Sequence, residues 1–174
     1  ILFGMENVVA TPHLGASTTE AQEKVATQVA EQMADFLISG AVTNALNMPS
    51  VTAEEAPRLK PYLLLAKQLG SFAGQVTESA LKGLVIEYEG HAAELNIRPL
   101  TAIIIEGLLS PLMVSVNMVN APVIAKERNI HVSEVKHERA SAYQTLIRLT
   151  VETENQTRSI AGTLFAGSRP RIVE

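Results

Sequence analysis

The sequence predicts an α+β fold: helices packed on one face of a largely antiparallel sheet, preceded by a strand–turn–helix unit of the kind that ends an α/β domain. Three observations carry that reading. Ile147, Leu149 and Val151 alternate with Arg148, Thr150 and Glu152, the period-two pattern of a strand with one buried face. Tyr62, Leu65, Leu69, Phe72 and Val76 recur every three or four residues, which is the spacing of an apolar helical stripe. Near the N-terminus the apolar run Val8-Val9-Ala10 enters a Pro- and Gly-bounded turn, Thr11-Pro12-His13-Leu14-Gly15-Ala16-Ser17-Thr18, ahead of an amphipathic segment.

In chain order, residues 7–10 read as a short buried strand. Ser17 and Glu20 have capping-box spacing, so a helix should begin there and stop at Gly40. Its residues Val25, Val29, Met33, Phe36 and Leu37 share one face. Residues 42–48 look extended. Residues 49–57 mix Pro, Ser, Thr and Glu without periodicity and read as a linker, dividing the chain into units 1–50 and 51–174. A second helix is expected over 58–79, with Pro61 in its first turn. Residues 84–89 read as a strand, 94–96 as another short one, 99–109 as a buried helix and 114–119 as a strand. A short helix over 121–128 then leads to an edge strand over 131–137. The turn Glu154-Asn155-Gln156 makes a hairpin with residues 157–165, and Arg171-Ile172-Val173 begins a further strand.

Composition narrows the function classes. With 47% hydrophobic residues in a chain of 174, a folded core is expected. A net charge of -4 with no basic stripe argues against nucleic acid as a partner. The absence of cysteine removes disulfides and thiolate metal sites, and suits a reducing cytoplasm. The most apolar region, residues 100–124, is interrupted by Glu106, Pro111, Asn117 and Asn120, so it reads as core and not as a membrane span. No signal-peptide pattern is present. His91, His131 and His137 do not stand at metal-ligand spacing with carboxylates, so no metal is expected. Arg58, Lys60, Lys82 and Arg98 read as solvated surface charge. Arg169 and Arg171 flank Pro170 close to Gly167, and two guanidiniums beside a turn suit paired hydrogen bonds to a phosphate.

The N-terminal run, with Glu20-Ala21-Gln22 after it, resembles the closing motif of the NAD-dependent D-2-hydroxyacid dehydrogenases. Asn44-Ala45-Leu46-Asn47-Met48-Pro49 is similar to the point where their chain leaves the substrate-binding domain. Val119-Asn120-Ala121-Pro122, Ala125-Lys126-Glu127-Arg128, Gly162-Thr163-Leu164-Phe165 and Arg171-Ile172-Val173 resemble the intervening, allosteric substrate-binding domain of the long phosphoglycerate-dehydrogenase branch. The resemblance implies that His13 is the catalytic acid/base, and that His13, Leu14, Gly15 and Ala16 line the nicotinamide pocket of NAD. It implies 3-phosphoglycerate as substrate, serine biosynthesis as the setting, a homo-oligomer, and an anionic effector held at Arg171 and, more weakly, Arg169. The physical chemistry agrees, because loss of hydride from an alcohol needs a base poised near neutral pH.

The departures matter as much. No G-x-G-x-x-G occurs anywhere in the chain, and the substrate-gripping arginine and the carboxylate that orients the histidine have no counterpart. The expectation is therefore a C-terminal portion of such an enzyme, inactive alone. A stand-alone regulatory or oligomerisation module binding an anion is the alternative. Another hydroxyacid dehydrogenase, for glycerate or glyoxylate, suits the first 48 residues but not the long second unit. The helix after the turn should bury its apolar face on the second unit, on another copy, or by exchange between copies.

Overall fold

The computed structural model describes residues 2, 4–139 and 142–174. Helix α1 (Thr19–Ser39) comes first, followed by α2 (Glu55–Gln75), β1 (Leu81–Gly90), α3 (Arg98–Leu109) and α4 (Ala121–Glu127). Strands β2 (His131–His137), β3 (Thr145–Thr153), β4 (Thr157–Phe165) and β5 (Arg169–Ile172) complete the chain. They form one five-stranded sheet in the order β2-β1-β3-β4-β5. β1 and β2 run parallel, joined by a crossover through α3 and α4; every other pairing is antiparallel. The architecture is the expected α+β arrangement.

The sheet has one apolar face because β1, β3 and β4 alternate in register. Leu84, Ile86 and Tyr88 on β1 stand beside Val151, Leu149 and Ile147 on β3, and all six are buried. Leu149 in turn pairs with Ile160, and Ile147 with Gly162, on β4. Helices α2 and α3 cover this face. Leu59, Leu65 and Leu69 of α2, with Leu100, Ile104 and Leu108 of α3, are at most 1% exposed. Each such side chain contributes about 1.5–3 kcal/mol by leaving water.

The two helices approach closely because small residues face each other. A Cβ placed on Gly70 would stand 2.4 Å from the Ile104 carbonyl oxygen, and one on Gly74 would stand 2.4 Å from that of Leu108. One on Gly107 would meet the Ser71 nitrogen at 2.8 Å. The buried face of α2 is thus centred on Ala66, Gly70, Ala73 and Gly74, while Phe72 lies off that face and is 48% exposed.

One polar chain leads from the core to the surface at the sheet edge. The Tyr88 hydroxyl lies 2.8 Å from Thr101 Oγ1, and the Thr101 hydroxyl donates to Glu134 Oε1. Thr101 has a single proton to give, so Tyr88 is the donor in the first bond. Burial raises the Tyr88 phenol well above its ordinary value, and the Glu134 carboxylate pushes the same way against the Thr101 hydrogen bond. These bonds tie β1, α3 and the edge strand β2 together.

Several local expectations change. Residues 7–10 do not form a strand: among the described residues they have no ladder partner, and Val9 is 90% exposed. Extended backbone without a neighbour has nothing to pair with. Residues 94–96 do not form a strand: Glu94 closes a turn begun at His91, and Leu95 and Asn96 lead irregularly into α3. Residues 114–119 form a loop organised by side-chain amides, with Asn117 Oδ1 accepting from the backbone of Val119 and Asn120, and Asn120 Oδ1 from that of Asn117.

The cap of α1 is Thr18, whose hydroxyl accepts from the Ala21 nitrogen at 3.2 Å; the Ser17 hydroxyl is already spent on the Leu14 carbonyl. Gly40 ends the helix at φ 79°, donating to the Phe36 carbonyl at 2.9 Å. Helix α2 begins at Glu55, ahead of the expected start, on a reciprocal capping box. The Thr52 nitrogen donates to Glu55 Oε2 at 3.0 Å and the Glu55 nitrogen donates to Thr52 Oγ1 at 3.2 Å. Pro61 consequently lies past the first turn, inside the helix.

Val42 is bridged to Val51 by two backbone hydrogen bonds of 2.8 Å. No residue of α1 is buried, and Met33, Phe36, Leu37 and Ile38 are all more than half exposed. Docking of this helix on the sheet unit is therefore not what the structure shows.

Candidate functional site

The histidine turn is built locally. The Leu14 carbonyl accepts the Ser17 nitrogen at 3.2 Å and the Ser17 hydroxyl at 2.9 Å, closing a turn with Gly15 and Ala16 at its centre. The Thr18 cap then directs the chain into α1. His13, Leu14, Gly15 and Ala16 are thereby brought together at the mouth of the helix, and all four are exposed. A Cβ added to Gly15 would meet nothing within 4 Å, so the turn backbone is open to a planar group. Among the described residues, none hydrogen-bonds or pairs with the His13 ring. The turn is thus an exposed, locally hydrogen-bonded segment at the start of α1.

Arg169 and Arg171 lie on β5. The hairpin turn before them has Ala166 at φ 49° and Gly167 at φ 70°, with the Ser168 nitrogen donating to the Phe165 carbonyl at 3.3 Å. Two consecutive positive φ values are those of a primed hairpin turn. By register, Arg171 stands beside Thr163, while Pro170 and Ile172 share the helix-covered face with Leu164 and Gly162. Both arginines thus occupy the face of the sheet turned away from the helices. The Arg171 guanidinium donates to the Pro170 carbonyl at 2.8 Å.

That outer face carries an ion-pair ladder. Arg148 Nη1 lies 2.7 Å from Glu174 Oε2, and Arg148 Nε lies 3.9 Å from Glu87 Oε2. His137 Nε2 is 3.4 Å from Glu87 Oε1. The Arg148 guanidinium is held above its ordinary pKa, first by its hydrogen bond to Glu174.

A second basic group escapes sequence reasoning. Arg58, Lys60 and Lys67 of α2 line an open cleft of about 800 Å³ with Gly167 and Ser168 of the β4–β5 turn. About a hundred residues of chain separate the lysines from that turn, so no local pattern announces the grouping. Lys67 is partly engaged by Glu106 at 3.7 Å. The cleft lies on the helix side, opposite Arg169 and Arg171. Among the described residues no group of three or more His, Asp or Glu is arranged to hold a metal, and no helix is long and apolar enough to cross a membrane.

Comparison with known proteins matches nearly the whole chain. The profile described as the D-3-phosphoglycerate dehydrogenase intervening domain matches residues 58–174. The D-3-phosphoglycerate dehydrogenase of Methanocaldococcus jannaschii is 38% identical over 174 residues, covering 99% of this chain and 33% of the relative. That of Bacillus subtilis is 39% identical over 168 residues, covering 96% and 32%. That of Synechocystis is 40% identical over 170 residues, covering 97% and 31%. The chain spans about a third of the length of these curated relatives. It belongs to the D-3-phosphoglycerate dehydrogenase family, with residues 58–174 matching that family's intervening domain.

Proposed function

We propose that this chain is a C-terminal portion of an NAD-dependent enzyme that oxidises 3-phosphoglycerate to 3-phosphohydroxypyruvate in serine biosynthesis in the cytoplasm. The observation that carries the reading is identity to named dehydrogenases along nearly the whole chain, with the histidine turn inside the matched region. Residues 1–50 belong to the catalytic region and 51–174 form the intervening domain.

His13 is the acid/base. Its imidazole takes the proton of the substrate hydroxyl during oxidation and returns it in the reverse direction. Leu14, Gly15 and Ala16 present open backbone where the nicotinamide ring would approach. The residues of this chain do not build a dinucleotide site by themselves, because the sequence has no G-x-G-x-x-G and the turn is exposed throughout. The chain alone is inactive for the same reason.

Arg171, supported by Arg169, is the anchor for an anionic effector on the outer face of the sheet. The assembly is a homo-oligomer, to which the uncovered face of α1 contributes.

The test has two arms. The 174-residue chain, given NAD and 3-phosphoglycerate, forms no NADH. In the longer protein, His13→Asn lowers kcat by about 10²–10⁴-fold with NAD binding retained. Turnover by the isolated chain, or an undiminished kcat in the variant, overturns the assignment. A phosphate titration that moves the Arg171 signals supports the anion site, and one that leaves them fixed removes it.

A further inference from the structure

A cavity of about 250 Å³ lies between the end of α2 and the β3–β4 hairpin. Phe72, Ala73 and Val76 form its helical wall, and Val151 and Ile160 its sheet wall. Its threonines are already satisfied: Thr77 Oγ1 donates to the Ala73 carbonyl at 2.7 Å, and Thr153 Oγ1 donates to the Gln156 carbonyl at 2.9 Å. One charged side chain reaches the lining, Arg158 of β4. Its Nη1 donates to the Val76 carbonyl at 2.9 Å, which anchors the guanidinium at the last turn of α2. A guanidinium has five N–H donors, so that bond leaves most of them unused. Among the described residues no carboxylate lies within ion-pair distance of Arg158. The cavity therefore combines largely apolar walls, the polar Gln156 and Ser159, a single exposed but anchored cation and no acid.

We propose that this cavity binds a small monocarboxylate with an apolar body, the carboxylate on Arg158 and the body between Phe72, Val76 and Ile160. Size supports the class. A dry apolar cavity of roughly 150 Å³ takes up benzene, so 250 Å³ accommodates a ring or branched chain together with a carboxylate. Charge supports it as well. One guanidinium matches a monoanion in bidentate fashion, whereas a phosphate dianion would bring uncompensated charge against aliphatic walls and helix C-terminal carbonyls. The site lies at the far end of β4 from the β4–β5 turn, so it is separate from Arg169 and Arg171 and does not depend on the dehydrogenase reading.

The probe is phenylacetate, titrated into the full 174-residue chain and followed by amide and arginine Nε–H NMR signals. Saturable shifts are expected at Val76, Arg158 and Ile160. Arg158→Gln should weaken phenylacetate about tenfold while leaving the binding of uncharged 2-phenylethanol unchanged. Val76→Phe, which fills the space from a half-buried position, should abolish both. Unaltered signals along the rest of β3 and β4 certify that each variant is folded. Absence of saturation at millimolar phenylacetate, equal affinity in the Arg158→Gln chain, or acetate binding as well as phenylacetate each overturns the proposal.

Discussion

Replacing Gly70 with alanine sets two known effects against each other. In an exposed helix the change stabilises by about 1 kcal/mol, since glycine loses more backbone freedom on folding. Here the new Cβ would lie 2.4 Å from the Ile104 carbonyl oxygen and 3.1 Å from the Ile104 Cα. Ordinary contact between such atoms begins near ~3.4 Å, so α2 and α3 must separate by close to ~1 Å. The obstructing atoms are backbone, so no rotamer change relieves them. A gap of that size forfeits about a quarter to a half of each contact along the interface, and the interface includes the buried residues Leu69, Ile104 and Leu108. Overpacking of this kind costs about 3 kcal/mol at the upper end. Set against the propensity gain, the net loss is about 2 kcal/mol. For a chain of this size that lowers Tm by about 4–8 °C. Urea and thermal unfolding followed by circular dichroism provide the measurement. Gly15→Ala, with nothing within 4 Å of the added carbon, is the control and should change stability by less than about 0.5 kcal/mol. A Gly70→Ala chain as stable as the parent, or more so, would refute the close-contact argument.

Other consequences can be measured in the same assays. Thr52→Ala removes one half of the Thr52–Glu55 capping box and should cost about 1 kcal/mol, with loss of amide-exchange protection confined to the first turn of α2. Thr101→Val leaves both the Tyr88 phenol and Glu134 without their shared partner and should cost about 1–3 kcal/mol, more than Tyr88→Phe, in urea titrations. The Tyr88 phenol has a raised pKa in the folded chain, so its stability contribution is complete below the ordinary phenol value of 10.0. Above that value the unfolded chain releases a proton that the folded chain keeps, and stability falls with rising pH. Tyrosinate absorbance should accordingly show Tyr88 ionising only on unfolding; early ionisation in the native chain would contradict its burial.

The parts of the fold that the sequence announces are those with a strict period and local punctuation. The alternation at Ile147, Leu149 and Val151 marks β3 because neighbouring side chains fall on opposite faces, and Gly40 marks the end of α1 because its φ is positive. The Thr52-x-x-Glu55 box is equally local, yet the Pro and Glu residues around it give the segment the composition of a linker. Burial on α2 is harder to read. Its packed face runs through Gly70 and Gly74, and small residues carry no hydrophobic signal even where they decide how near α3 can come. The apolar run at Val8 looks like a strand on its own, yet strand formation depends on a partner far along the chain. The candidate site divides in the same way. The His13 turn is a contiguous motif and can be read directly. The meeting of Arg58 and Lys60 with Ser168, and of Arg158 with the end of α2, arises from pairings that no local pattern encodes.

The bridge between Val42 and Val51 has a mechanical meaning. It is a hinge pin of two hydrogen bonds, with Ala41 and Val51 buried around it. From that pin α1 extends 21 residues, a rod of about 32 Å at ~1.5 Å per residue, with His13 just beyond its N-terminal end. A rod pivoted at one end multiplies rotation into displacement. A tilt of about 5° at the pin carries the histidine end through about 3 Å, the full length of a hydrogen bond. A small rotation at residue 51, which is buried against the sheet unit, would thus become a large displacement at the imidazole.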